Sequence, residues 1–120
     1  MTEALTRAKP RIDHPAELAR LVKQIVAKVD PVAVYLFGSR ARGDAEADSD
    51  YDLLIVVPDD FPAGQANTVT AFSLVEGRRI PMDLTMSRAA RFAARCRQVG
   101  TLEYTVGREG TVLYERRDRS

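Results

Sequence analysis

The chain has 120 residues, with 18 Lys and Arg against 17 Asp and Glu, for a formal net charge of +1. This near balance excludes the strongly basic footprint of a general nucleic-acid binder, so no direct nucleic-acid binding is expected. One cysteine, Cys96, excludes an internal disulfide framework or thiolate zinc site, and no apolar run approaches the roughly 20 residues needed to span a bilayer.

A chain of this length is expected to form one domain that buries about two-thirds of its unfolded surface. We expect that domain over residues 13–115, with flexible ends at 1–12 and 116–120. The lone cysteine fits a reducing compartment. The stretch from Met1 to Arg7 does not resemble the start of a signal peptide, so a cytoplasmic protein is expected.

Pro15 suits the first turn of a helix, capped by Asp13 or His14. Leu18, Leu21, Val22, Ile25, Val26 and Val29 then recur at helical spacing and form one apolar stripe. Asp30-Pro31 ends that helix. Val32 to Phe37 is apolar on both faces and reads as a central strand. A helical turn over Ser39 to Arg42 follows Gly38. Asp44 to Asp50 is an acidic loop, and Tyr51 to Val57 is a second central strand stopped by Pro58. Ala66, Val69, Phe72, Leu74 and Val75 are spaced for a helix within Ala63 to Glu76. Arg79 to Met86 reads as a third strand, with Pro81 marking an edge or a strand start. Ser87 is placed to cap a helix through Arg97. Thr101 to Val106 can add a helical turn, and Thr111 to Tyr114 a short last strand.

The informative spacing lies between Gly38-Ser39 and Asp50-Tyr51-Asp52, which are separated by ten residues. Side chains alternate along a strand, so Asp50 and Asp52 share a face. Two hard carboxylates so close repel each other unless a cation lies between them, and Mg²⁺ commonly joins protein carboxylates to substrate phosphates. The Gly-Ser turn offers backbone N–H groups and a hydroxyl to phosphates. Asp52 opens an apolar strand, and burying it unpaired is costly. Asp83, within Ile80-Pro81-Met82-Asp83-Leu84, repeats the anomaly. A third carboxylate would complete a site for two Mg²⁺ ions acting on an in-line displacement at phosphorus. From Arg40 to Asp52, two arginines face five acids, a net of −3, so triphosphate binding there should depend on metal. Arg88, Arg91 and Arg95 share a helical face, readable as a hydrated stripe or as a contact surface for an acidic partner.

Gly38-Ser39, ten residues, Asp50-x-Asp52 and a later strand Asp83, with Arg40-Ala41-Arg42-Gly43 and Ser49-Asp50 between, resembles the minimal nucleotidyltransferases of the DNA polymerase β-like superfamily. The resemblance runs from the first helix to Tyr114. It implies an α/β (α+β) fold with a small mixed sheet flanked by helices, and transfer of a nucleoside monophosphate from a triphosphate such as ATP. It also implies that Asp50 and Asp52 hold both metals. Asp83 would hold the catalytic metal and assist deprotonation of the acceptor. Gly38 and Ser39 would bind phosphate, and Arg42 and Arg40 would neutralise triphosphate charge. Many members of that family are antitoxins that transfer AMP to a tyrosine of a HEPN-domain toxin, so such a partner is expected. Neutralisation by binding alone, or transfer to a small-molecule hydroxyl, are the alternatives.

Overall fold

The computed structural model describes residues 12–117. The helix that opens it, α1 (Pro15–Val29), begins at Pro15 and buries Leu18, Leu21, Val22 and Ile25 on one side. Glu17 in its first turn and Lys28 in its last complement the helix dipole. It stops at Asp30, whose φ of 47° is left-handed, and Pro31 cannot continue it.

Four strands form one mixed sheet in the order β3-β2-β1-β4. They are β1 (Ala33–Phe37), β2 (Tyr51–Val57), β3 (Met82–Arg88) and β4 (Thr111–Glu115). The two strands expected to be central on hydropathy, β1 and β2, are central. β1 pairs antiparallel with β2 and β4, and β2 pairs parallel with β3. The short helices are α2 (Ser39–Arg42), α3 (Thr68–Phe72), α4 (Ala89–Arg95) and α5 (Leu102–Glu109). The expected architecture, a small mixed sheet flanked by helices, is the one observed.

The alternation of β1, β2 and β3 divides the interior into two layers. Tyr51, Leu53, Ile55 and Val57 point towards α1, where Leu36, Leu84, Leu74, Val75 and Ile80 close the larger core. Leu54 and Val56 point the other way and meet Ala33, Val106, Ala89 and Phe92. There the Phe92 ring of α4 stacks on Tyr35 of β1 at 5.3 Å. The helices α4 and α5 thus cover one end of this second face.

Two elements differ from expectation. The helix expected within 63–76 shrinks to α3, capped by Asn67, which accepts from Thr70 N at 2.9 Å; Val69 is 81% exposed, and Ala71 packs inward instead. The third strand starts and ends later than expected. Pro81 lends its carbonyl to Tyr51 N, and pairing with Val56 and Val57 carries the strand through Ser87 and Arg88, so Ser87 is a strand residue and not a cap. Cys96 is half-buried. At the domain's ends, Ile12 packs on the larger core and Arg116 N donates to Val32 O at 2.9 Å. Of the flexible ends expected at 1–12 and 116–120, residues 1–11 and 118–120 lie outside the described residues.

Candidate active site

Strand directions bring the three distant sequence segments together. β1 ends where β2 begins, because Phe37 pairs with Asp52, and the parallel β3 begins at the same end, because Asp52 pairs with Asp83. A single row across the sheet therefore reads Phe37, Asp52, Asp83 on the face that α4 and α5 leave uncovered at this end. Asp50 immediately precedes β2 and is exposed, as is Asp83.

Gly38 closes the row. Its φ of 77° and ψ of −158° turn the chain from β1 into α2, a conformation open in practice to glycine alone. A Cβ built there would lie 2.2 Å from Asp52 Oδ2. The missing side chain is the space that the Asp52 carboxylate occupies. The Gly-Ser turn and the aspartate are thus parts of one packed unit.

Burial pushes the Asp52 carboxyl up, and the charges of Asp83 and Asp50 push it further, to about 6; Arg42 opposes them. Three acids whose fields overlap at the half-buried Asp52 carboxylate form a hard-donor set that suits a divalent cation. Among the described residues no three His, Cys, Asp or Glu side chains converge into a ready ligand cage. A Mg²⁺ ion does not require one, because it keeps waters and takes substrate oxygens. The donor set fits Mg²⁺, and Asp50, Asp52 and Asp83 are the residues that would hold it.

The profile of the nucleotidyltransferase domain family matches residues 17–101, which contain all of these groups. The chain belongs to that family. Among solved structures, the fold is similar to that of a Sulfolobus solfataricus protein provisionally described as a nucleotidyltransferase. The TM-score is 0.55 at 22% identity, over 83% of this chain and 78% of the other. Comparison with curated proteins finds no match. Nucleotidyl transfer is the activity class of this domain.

Within this nucleotidyltransferase domain the two arginines of Arg40-Ala41-Arg42 have different surroundings. Arg42 stands 46% exposed near the row, with Nε 3.2 Å from Asp44 Oδ2 and Nη1 3.6 Å from Glu109 Oε1. It remains available to a triphosphate. Arg40 departs from the expected phosphate role, because its side chain is fully buried and its donors are committed inside the protein. Nη1 lies 2.7 Å from Asp13 Oδ2, Nη2 donates to the Ser49 and Ala47 carbonyls, and the guanidinium covers the Tyr51 ring at 4.3 Å.

Tyr51, between the two aspartates, was not singled out from sequence. Its hydroxyl accepts from the backbone N–H groups of Asp13 and His14 at 3.0 and 3.2 Å and contacts His14 Nδ1 at 3.1 Å. His14 is accordingly a structural partner and not a side-chain cap. Together Tyr51 and Arg40 fasten the start of β2, and with it Asp50 and Asp52, to the entry of α1. The only sequence signal was an aromatic at the inward position of an otherwise apolar strand. Ser39 opens α2, and its carbonyl accepts from Gly43 N.

Proposed function

We propose that this domain transfers the AMP group of ATP to a hydroxyl, namely a tyrosine of a partner HEPN-domain toxin, and so acts as its antitoxin. The observation that carries the reading is the Asp52–Asp83 row, in strand register and packed against Gly38, on a face open at that end. A bound divalent cation, or a pair of them, would supply charge neutralisation for the triphosphate and a Lewis acid at the reacting phosphorus. Asp50, Asp52 and Asp83 would hold it. Ser39 and Arg42 would contact the phosphates. Asp83 would accept the proton of the attacking hydroxyl. The hydroxyl oxygen then forms a bond to the α-phosphorus, the bond to the β-phosphate oxygen breaks, and pyrophosphate leaves with the electron pair.

A sheet face with so little wall holds a nucleotide better than a loose acceptor. A docked protein presents its hydroxyl at high effective concentration, which favours a protein acceptor over a small molecule. Intact-mass spectrometry of the partner, co-expressed with this chain, tests the reading. The expected result is a shift by one or more AMP groups that is lost with Asp50→Ala/Asp52→Ala while the complex persists. An unmodified yet neutralised partner in the wild-type sample would replace it with inhibition by binding alone.

A further inference from the structure

The face that carries the carboxylate row also holds a concavity farther along β3. A cavity of about 480 Å³ lies against β3, with Thr85, Ser87, Arg91, Arg95 and Glu103 in its lining, a size in the usual range of ligand sites. Thr85 and Ser87 follow Asp83 at alternate positions of β3 and share its face. At a rise of about 3.3 Å per residue they stand roughly 7 and 13 Å along the strand from it. Asp83 is not in the cavity's lining; the cavity begins at Thr85, farther along β3 on the Asp83 side of the row. The Gly38-Ser39 turn, where the triphosphate is expected, lies on the opposite side of Asp52.

Its charges are arranged rather than scattered. Glu103 is 5% exposed and accepts from Ser87 Oγ at 3.1 Å and Arg91 Nε at 3.2 Å. Burial pushes this carboxyl up, but hydrogen bonds from its own backbone N–H, Arg91 and Ser87 outweigh that and leave it below its ordinary range. It stays ionised and fixes Arg91. Both Nη atoms of Arg91 remain without a hydrogen bond, and the Arg95 guanidinium has neither a hydrogen bond nor an ion pair, among the described residues. Arg88, the third arginine of the stripe, is occupied, because it donates to the carbonyls of Asp59, Phe61 and Pro62. Two available guanidiniums beside one satisfied carboxylate suit a carboxylate ligand, which arginine binds through paired N–H donors.

We propose that this cavity is the acceptor subsite, and that Arg91 and Arg95 hold an acidic side chain of the partner protein close to the hydroxyl that receives the nucleotidyl group at Asp83. This rests on the protein-acceptor reading above and adds a requirement to it. The acceptor tyrosine must have an acidic neighbour within one or two residues in extended chain.

Calorimetric titration of the full chain with two capped peptides, acetyl-Tyr-Gly-Glu-amide and acetyl-Tyr-Gly-Lys-amide, tests it without nucleotide. The acidic peptide should bind at least about tenfold more tightly than the basic one. Arg95→Glu should reverse that order, with an unchanged thermal melt and unchanged Mg-ATP binding. Equal binding of the two peptides, no binding of the acidic peptide up to about 10 mM, or an Arg95→Glu protein with wild-type preference would overturn the proposal. A wild-type chain that failed to bind Mg-ATP would instead undo the nucleotidyl-transfer reading, and the peptide titration would still decide what the cavity recognises.

Discussion

The two faces of β2 are made by the same seven residues and have opposite character. Tyr51, Leu53, Ile55 and Val57 look into a sealed layer under α1, while Asp52, Leu54 and Val56 look into a layer that α4 and α5 cover only in part. Polar groups occur on both sides, but they are treated differently. On the α1 side, Arg40 and the Tyr51 hydroxyl have their hydrogen bonds satisfied by Asp13, His14 and backbone carbonyls. On the other side, Asp52 is crowded by Asp83 and Asp50, with only Arg42 opposing. Satisfied polarity holds the fold, whereas unsatisfied like charge is what a cation-dependent active site presents before its ligands arrive.

Four substitutions press on this contrast. The largest effect is expected at Gly38→Ala, which sets a Cβ where Asp52 Oδ2 now lies. Displacing a reacting group by even 1 Å can lower a rate by about 100-fold, and the left-handed backbone adds roughly 1–3 kcal/mol of strain. Steady-state nucleotidyl transfer and a urea melt should both show it. An active, stable variant would mean that the glycine is a mere turn.

Arg40→Met should act on stability alone. The fully buried guanidinium donates to Asp13, Ala47 and Ser49, and losing these charge-assisted hydrogen bonds should cost about 2 kcal/mol or more, while the KM for the nucleoside triphosphate of the folded fraction should stay at the wild-type value. A raised KM with intact stability would return Arg40 to the phosphate role that its sequence position suggests. Arg42→Ala is the converse. We expect about a tenfold rise in KM for the nucleoside triphosphate, near 1.4 kcal/mol, with stability within about 0.5 kcal/mol because its ion pairs are exposed.

The last effect concerns acidity. Burial, with the charges of Asp83 and Asp50, raises the Asp52 carboxyl in the folded chain from its ordinary 3.8 to about 6, so the folded state holds the proton more firmly than the unfolded chain. Without metal, wild-type stability should fall as pH rises through the window between those two values and level off above it. Asp52→Asn carries no such penalty. In EDTA the two proteins should match below about pH 4 and diverge in favour of the variant by roughly 1–2 kcal/mol above about pH 6, after allowing for solvent screening. A variant that is less stable throughout would show that Asp52 is a structural hydrogen-bonding group.

Much of the open face was legible in the sequence, because chemistry there is written as exceptions: acids at the start of an apolar strand, glycine before serine at a strand end. The sheet's centre was legible for a similar reason, since β1 and β2 are apolar on both faces. The closed face hid its polar residues. Arg40 looks like any other arginine of a charged loop, and only its tertiary partners Asp13 and Tyr51 identify it. On the open face the Glu103–Arg91 pair was hidden too, because twelve residues separate them, a spacing that no helix or strand period links. The start of β3 was misjudged because pairing with β2, not local propensity, decides where Pro81 ends and the strand begins. Val69 has the right spacing for a buried helix position, yet no element lies over it.

The register of β2 against β3 has a consequence for folding. A slip of one residue would turn Asp83 to the other face and bring Leu84 or Met82 opposite Asp52. A slip of two would keep the face but set Pro81 or Thr85 there. A collapsed chain with its helices formed and this parallel pair misaligned by two residues would keep its apolar side chains inward and have no catalytic row. Recovery of nucleotidyl transfer during refolding would therefore time the locking of one strand pair, and it should lag behind the return of helical signal.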